Sequence, residues 1–107
     1  MIDETTKNRI VKRILEHTVK KKIKGSQLSR EFGLDTSKVR LIVHEERLSG
    51  KINLGSSIGG YFRIEDREGW NITRAHLISR IRKTADVLSV GDKHFKYYAN
   101  KNQIWAI

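Results

Sequence analysis

Residues 25–43, GSQLSREFGLDTSKVRLIV, place their apolar side chains and Gly33 so that one short helix must turn sharply into another. Leu28 and Phe32 stand four apart, the step of a single helical face. Gly33 supplies the positive φ that a tight helix exit needs, and Leu34 fills the corner between the two helices. Val39, Ile42 and Val43 then bury one side of the second helix, leaving Ser37, Lys38, Arg40, Leu41, His44 and Arg47 outward. Most of those side chains donate hydrogen bonds, and a helix with such a face suits the major groove of a duplex.

Charge narrows the partners further. The 107 residues carry a formal charge of +10, and a surface this positive attracts polyanions and releases their counterions on contact. Nucleic acid is the leading polyanion and an anionic membrane the competing one. No run approaches the roughly 18 apolar residues of a membrane span, and no signal-peptide pattern opens the chain. A protein of the cytoplasm, without membrane contact, is expected. The absence of cysteine excludes disulfides and thiolate metal sites. With 37% hydrophobic residues, one modest core is expected, with an appendage.

Periodicity sets the order of elements. Ile10, Val11, Ile14 and Leu15 recur at helical spacing over residues 3–18, with Asp3 and Glu4 at the positive end of the dipole. Residues 19–24 are β-branched at Val19 and Ile23 with lysines between, which predicts a short edge strand. Ser26 is expected to cap the second helix, and Asp35 or Thr36 the third, which ends at Ser49 and Gly50. Residues 51–64 alternate around GSSIGG and predict a β-hairpin in which one of Tyr61 and Phe62 faces outward. A fourth, long helix is expected over residues 66–90, starting at Asn71 or Thr73 after an approach loop and stopped by Gly91. The remaining stretch, DKHFKYYANKNQIWAI, is too apolar for an ordinary disordered tail.

Helix, short strand, helix, tight turn, helix and glycine-tipped hairpin is the order of a winged helix-turn-helix domain, and residues 10–64 resemble one. More narrowly, VRLIVHEERLSGKINLGSSIGGYFRI is similar to the small winged-helix proteins of bacteriophages and mobile elements. Arg47, Gly50, Ile52, Gly60 and Tyr61 carry that likeness, with Leu77, Ile78 and Arg80 on the following helix. The resemblance implies a mainly α fold with a small β-hairpin (α+β): a winged helix-turn-helix over residues 1–65, then a C-terminal helix and aromatic tail over residues 66–107.

Roles follow for individual residues. Ser37, Lys38, Arg40, Leu41 and His44 are placed to meet base edges, with Arg40 matching guanine bidentately. Lys20, Lys21, Lys22 and Lys24, joined by Ser26, Gln27, Thr36 and Arg47, are candidates for the DNA backbone. Residues 1–25 hold eight bases and three acids, a net of +5, whereas residues 26–50 hold four of each. Positive charge thus frames the reading helix rather than filling it. In the wing, Lys51, Ser56, Ser57 and Arg63 could touch the minor groove or its phosphates. Arg74, Ile78, Ile81, Ala85 and Leu88 take the three-and-four step of a coiled-coil seam. That stripe either covers the core or, with Trp105, pairs two copies, which would then address half-sites about 34 Å apart.

Catalysis finds no support. His17, His44, His76 and His94 are scattered without metal-ligand spacing, and no metal or cofactor is expected. Glu45 with Glu46, and Glu65 with Asp66, are sequence neighbours whose side chains diverge. GSSIGG lacks the lysine and hydroxyl residue of a phosphate loop. The expectation is therefore a non-enzymatic, sequence-specific binder of double-stranded DNA, a phage or mobile-element transcriptional regulator or replication accessory. The alternative is a protein-interaction module that modulates a host protein, favoured by the acids Glu45 and Glu46 on the supposed reading helix. Single-stranded nucleic acid suits the chain less well, because the aromatics gather in the tail rather than on a sheet.

Overall fold

The computed structural model describes residues 3–95, in the order α1 (Glu4–Leu15), α2 (Gly25–Phe32), α3 (Thr36–Leu48), β1 (Leu54–Ser57), β2 (Gly60–Arg63) and α4 (Arg67–His94). Four helices and one antiparallel two-stranded hairpin make a mainly α, α+β architecture. The chain divides into two compact units, Met1–His76 and Leu77–Ile107.

In the first unit, Ile10, Val11 and Ile14 of α1, Leu28 of α2, and Val39, Ile42 and Val43 of α3 converge with Ile23 and Leu54 on one core, against which Leu15, Phe32, Leu34 and Tyr61 pack. Each large side chain buried there contributes about 1.5–3 kcal/mol. Asp3 caps α1 by accepting the Thr6 amide at 2.7 Å, a bond that holds its carboxyl below the usual carboxylate range. The α2–α3 corner forms as its residues dictate: Gly33 takes φ 64, and the amide of Leu34 closes onto the Ser29 carbonyl at 3.1 Å. Arg13 of α1 and Glu31 of α2 meet through two hydrogen bonds of 2.9 and 3.0 Å. The guanidinium, helped by the Gln27 amide, keeps the Glu31 carboxyl below its ordinary value.

The hairpin pairs Leu54 with Arg63, Gly55 with Phe62, Ser56 with Tyr61 and Ser57 with Gly60, leaving Ile58 and Gly59 as the turn. Much of GSSIGG is thus strand rather than tip. The expected edge strand over residues 19–24 contracts to one bridge, in which Ile23 donates to Tyr61 at 3.0 Å and accepts from it at 2.8 Å. Lysines on either side give the segment too little apolar surface to extend the ladder. Gly60, at φ 134, lets the backbones close, since a Cβ there would lie 2.4 Å from the Ile23 carbonyl oxygen. Neither ring of the Tyr61–Phe62 pair is left fully outward: Phe62 is buried and Tyr61 packs on the core.

Helix boundaries differ at four places, the first being α1, which ends at Leu15 rather than near Thr18. Lys24, not Ser26, stands at the α2 N-cap, and Asp35 occupies that position in α3 without a side-chain bond. α4 begins at Arg67 because Asp66 accepts the Gly69 amide at 2.9 Å, an acceptor that overrides the weak propensity of Gly69 and Asn71. Gly91 does not stop α4, which runs to His94. The α4 residues buried are Gly69 and Thr73 rather than the apolar stripe. In the second unit, described to Phe95, Ile81, Val87 and Val90 are exposed. The expected aromatic tail, including Tyr97, Tyr98 and Trp105, lies outside the described residues.

Two outcomes follow. Gly60→Ala forces an L side chain into a left-handed conformation and against a carbonyl, so urea unfolding should show a loss of about 2 kcal/mol or more. Because the Asp3 and Glu31 carboxyls are lowered on folding, their stabilisation is complete above the unfolded carboxylate value and lost as pH falls through the folded one. Thermal midpoints should therefore drop on acidification through the carboxylate range, and drop less in Glu31→Gln.

Candidate nucleic-acid interface

α3 carries two opposed faces. Val39, Ile42, Val43 and Glu46 point inward, while Ser37, Lys38, Arg40, Leu41 and His44 are exposed. Positions 37, 41 and 44 recur by four and three and form one outward stripe, with Lys38 and Arg40 on its flanks. Leu41, 52% exposed, is the apolar member of an otherwise polar surface. Neither Lys38 nor Arg40 forms an ion pair with a described residue.

The acids of the same helix are answered from other elements. Glu45 meets Lys7 of α1 at 3.5 Å, and Glu46, only 7% exposed, is held by Lys51 at 2.5 Å. Each acid thus has a cation of its own, so the pair does not draw down the charge of Lys38 and Arg40. Surface pairs add little stability, but here they decide the sign of the exposed face.

The lysine-rich segment is fixed to the hairpin by its backbone. Thr18 accepts the Lys21 amide, and His17 Nδ1 lies 2.9 Å from the Lys21 carbonyl. That contact requires Nδ1–H, which leaves Nε2 to accept from Arg13 at 3.0 Å. Ile23 then makes its bridge to Tyr61. Lys20, Lys21 and Lys24 are exposed, and Lys22 is half-buried with its ammonium 5.9 Å from the Phe62 ring centre. The Lys22 stem lies so close to Gly59 that a Cβ there would sit 3.2 Å from Cδ. This brings Lys22 beside the hairpin turn, with Lys24 opening α2. Ser26 and Thr36 are exposed in the first turns of α2 and α3, while Gln27 donates to Glu31 at 3.2 Å.

Arg47, Ser56, Lys51 and Ser57, assigned outward roles from sequence, have inward or engaged side chains. Arg47, expected on the DNA backbone, donates to the Leu54 carbonyl and to Ser56 Oγ, both at 2.9 Å. Ser56, expected at the wing tip, is 4% exposed. Its amide donates to Thr73 Oγ1 at 3.2 Å, and its hydroxyl, accepting from Arg47, lies 3.1 Å from His76 Nδ1. Lys51 is engaged by Glu46, and Ser57 accepts the Gly59 amide across the turn. Arg63 stays exposed and pairs with Glu65 at 3.1 Å. A β-strand register puts alternate residues on opposite faces, and here it turns Ser56 toward α4.

The network linking Arg47, Ser56, Thr73 and His76, which ties α3, β1 and α4 together, is not apparent from the sequence. Its members are polar, widely spaced and without periodicity. The Arg13–Glu31 link is equally hidden, because its partners stand on different helices. Among the described residues no group of three His, Asp or Glu side chains could hold a metal ion, and no helix is long and apolar enough to cross a membrane. No protein-family model, curated protein or solved structure matches the chain.

Arg47 and Arg40 should therefore behave oppositely. Arg47→Ala strands two acceptors and should cost about 1.5–3 kcal/mol in urea unfolding, whereas Arg40→Ala should leave stability within about 0.5 kcal/mol of the parent.

Proposed function

We propose that this chain is a sequence-specific, non-enzymatic binder of double-stranded DNA, with α2 and α3 as a helix-turn-helix and the β1–β2 hairpin as its wing. The observation that carries this reading is the outward face of α3, whose cations remain unopposed while Lys7 and Lys51 answer the acids beside them. In this reading Arg40 reads guanine through its planar fork, Leu41 offers an apolar contact to a thymine methyl, and Ser37 and His44 complete the base-facing stripe. Lys38 and the exposed Lys20, Lys21 and Lys24 hold phosphates, with Lys22 beside the turn of the wing. Arg47, Lys51 and Ser56 support the scaffold and are not assigned DNA contacts. The resemblance of residues 39–64 to small phage and mobile-element proteins supports a regulator or replication accessory acting in the cytoplasm.

A protein-docking role is the second reading. Leu48 at the end of α3 and Ile52 just after it are both exposed, and apolar side chains beside a recognition element fit a protein partner. A pull-down that retains one host partner after nuclease treatment, from a chain that does not shift duplex DNA at low salt, would favour that reading.

Salt-titrated binding to duplex DNA tests the leading one. Affinity should fall linearly on a log–log plot against salt, and replacing Lys20 and Lys21 together by alanine should reduce the slope by about 1 for each phosphate no longer neutralised. The weakening should be uniform across sequences. Arg40→Ala should instead cost about 1–3 kcal/mol on the preferred site and little on random DNA. Equal losses on both would remove Arg40 from base reading, and no binding at low salt would end the proposal.

A further inference from the structure

α4 carries a seam in which Ile78, Ile81, Ala85 and Leu88 alternate in steps of three and four along one continuous helix. One step further in each direction the same seam holds Arg74 and Asp92, charged residues of opposite sign. Ile81 is 61% exposed, Ile78, Ala85 and Leu88 are half-buried, and Phe95, the position in phase after Asp92, is exposed. Between residues 74 and 92 charge is segregated: Arg74, Arg80, Arg82 and Lys83 lie in the earlier part and Asp86 and Asp92 in the later part, with no base from residue 84 to residue 92, while Glu68 and Lys93 lie outside that span.

That segregation selects a partner and a direction. A second copy laid parallel would set Arg74 on Arg74 and Asp92 on Asp92 within the seam, like charge on like. Laid antiparallel about a twofold axis at residue 83, the same sequence is self-complementary. Ile78 faces Leu88 of the second copy, Ile81 faces Ala85, and Arg74 meets Asp92 at both ends. Arg82 and its twin approach each other near the axis, and Asp86, four residues on along the same helix, offsets them. The paired length is about 27 Å at 1.5 Å per residue.

We propose that α4 forms an antiparallel homodimer through the seam from Arg74 to Asp92, with the Arg74–Asp92 pairs fixing its direction and register. Such a pair is isologous, the same patch serving both copies. It requires nothing of the α3 face, so it stands whether or not DNA is the ligand.

Sedimentation equilibrium of the full chain should show a reversible dimer. Asp92→Arg places arginine against arginine at both ends and should weaken dimerisation about tenfold or more, and adding Arg74→Asp to it should restore the dimer. Because the chain has no cysteine, direction can be read by disulfide trapping. Arg74→Cys chains mixed with Asp92→Cys chains should give the mixed disulfide in preference to either homodisulfide. A monomer at every concentration, an Asp92→Arg dimer as tight as the parent, or ready homodisulfide formation by Arg74→Cys alone would overturn the proposal.

Discussion

The two backbone hydrogen bonds between Ile23 and Tyr61 determine where everything else in the first unit can lie. They join the segment after α1 to the second strand of the hairpin, and they are possible only because residue 60 has no side chain. Through them Lys22 sits beside the hairpin turn, and Lys24 opens α2 from a backbone position already set. Ile23 itself is fully buried, so the bridge also carries the hairpin onto the helical core. Without it a two-stranded hairpin has little independent stability.

Electrostatic pairing then decides what the exterior presents. α3 contains equal numbers of acids and of Lys or Arg bases outside its first turn, two glutamates against Arg40 and Arg47, and taken alone it has no excess of charge there. Folding separates them. Glu46 turns inward to Lys51, Glu45 reaches Lys7, and Arg47 turns in to β1, while Lys38 and Arg40 face out. The result is a helix face on which Lys38 and Arg40 are exposed while both glutamates are answered by cations of other segments, flanked in the chain by a lysine run held at the hairpin.

Much of this is legible in the sequence. The apolar positions of α1, α2 and α3, the left-handed Gly33 and the hairpin between residues 51 and 64 follow from spacing and turn chemistry, which act over a few residues. What is not legible depends on contacts between distant segments. Nothing local distinguishes Arg47 from Arg40, yet one is turned inward by a strand carbonyl seven residues on. Ser56 reads as a glycine-rich tip until the register places it under Thr73 and His76. The start of α4 falls earlier than local propensity at Gly69 and Asn71 suggests, because the cap that Asp66 supplies is the stronger effect. Among the candidate site residues, those on the regular outward stripe of α3 keep their expected exposure, while Arg47 in its last turn and Ser56 beyond it are taken up by the scaffold.

The most direct measurement is a titration of isotopically labelled full chain with duplex DNA at low salt, following backbone amide shifts by NMR. Shifts concentrated at residues 37, 38, 40, 41 and 44, at residues 20–24 and at the hairpin turn are what the account predicts. An unchanged spectrum, or shifts confined to residues outside those three segments, would contradict it.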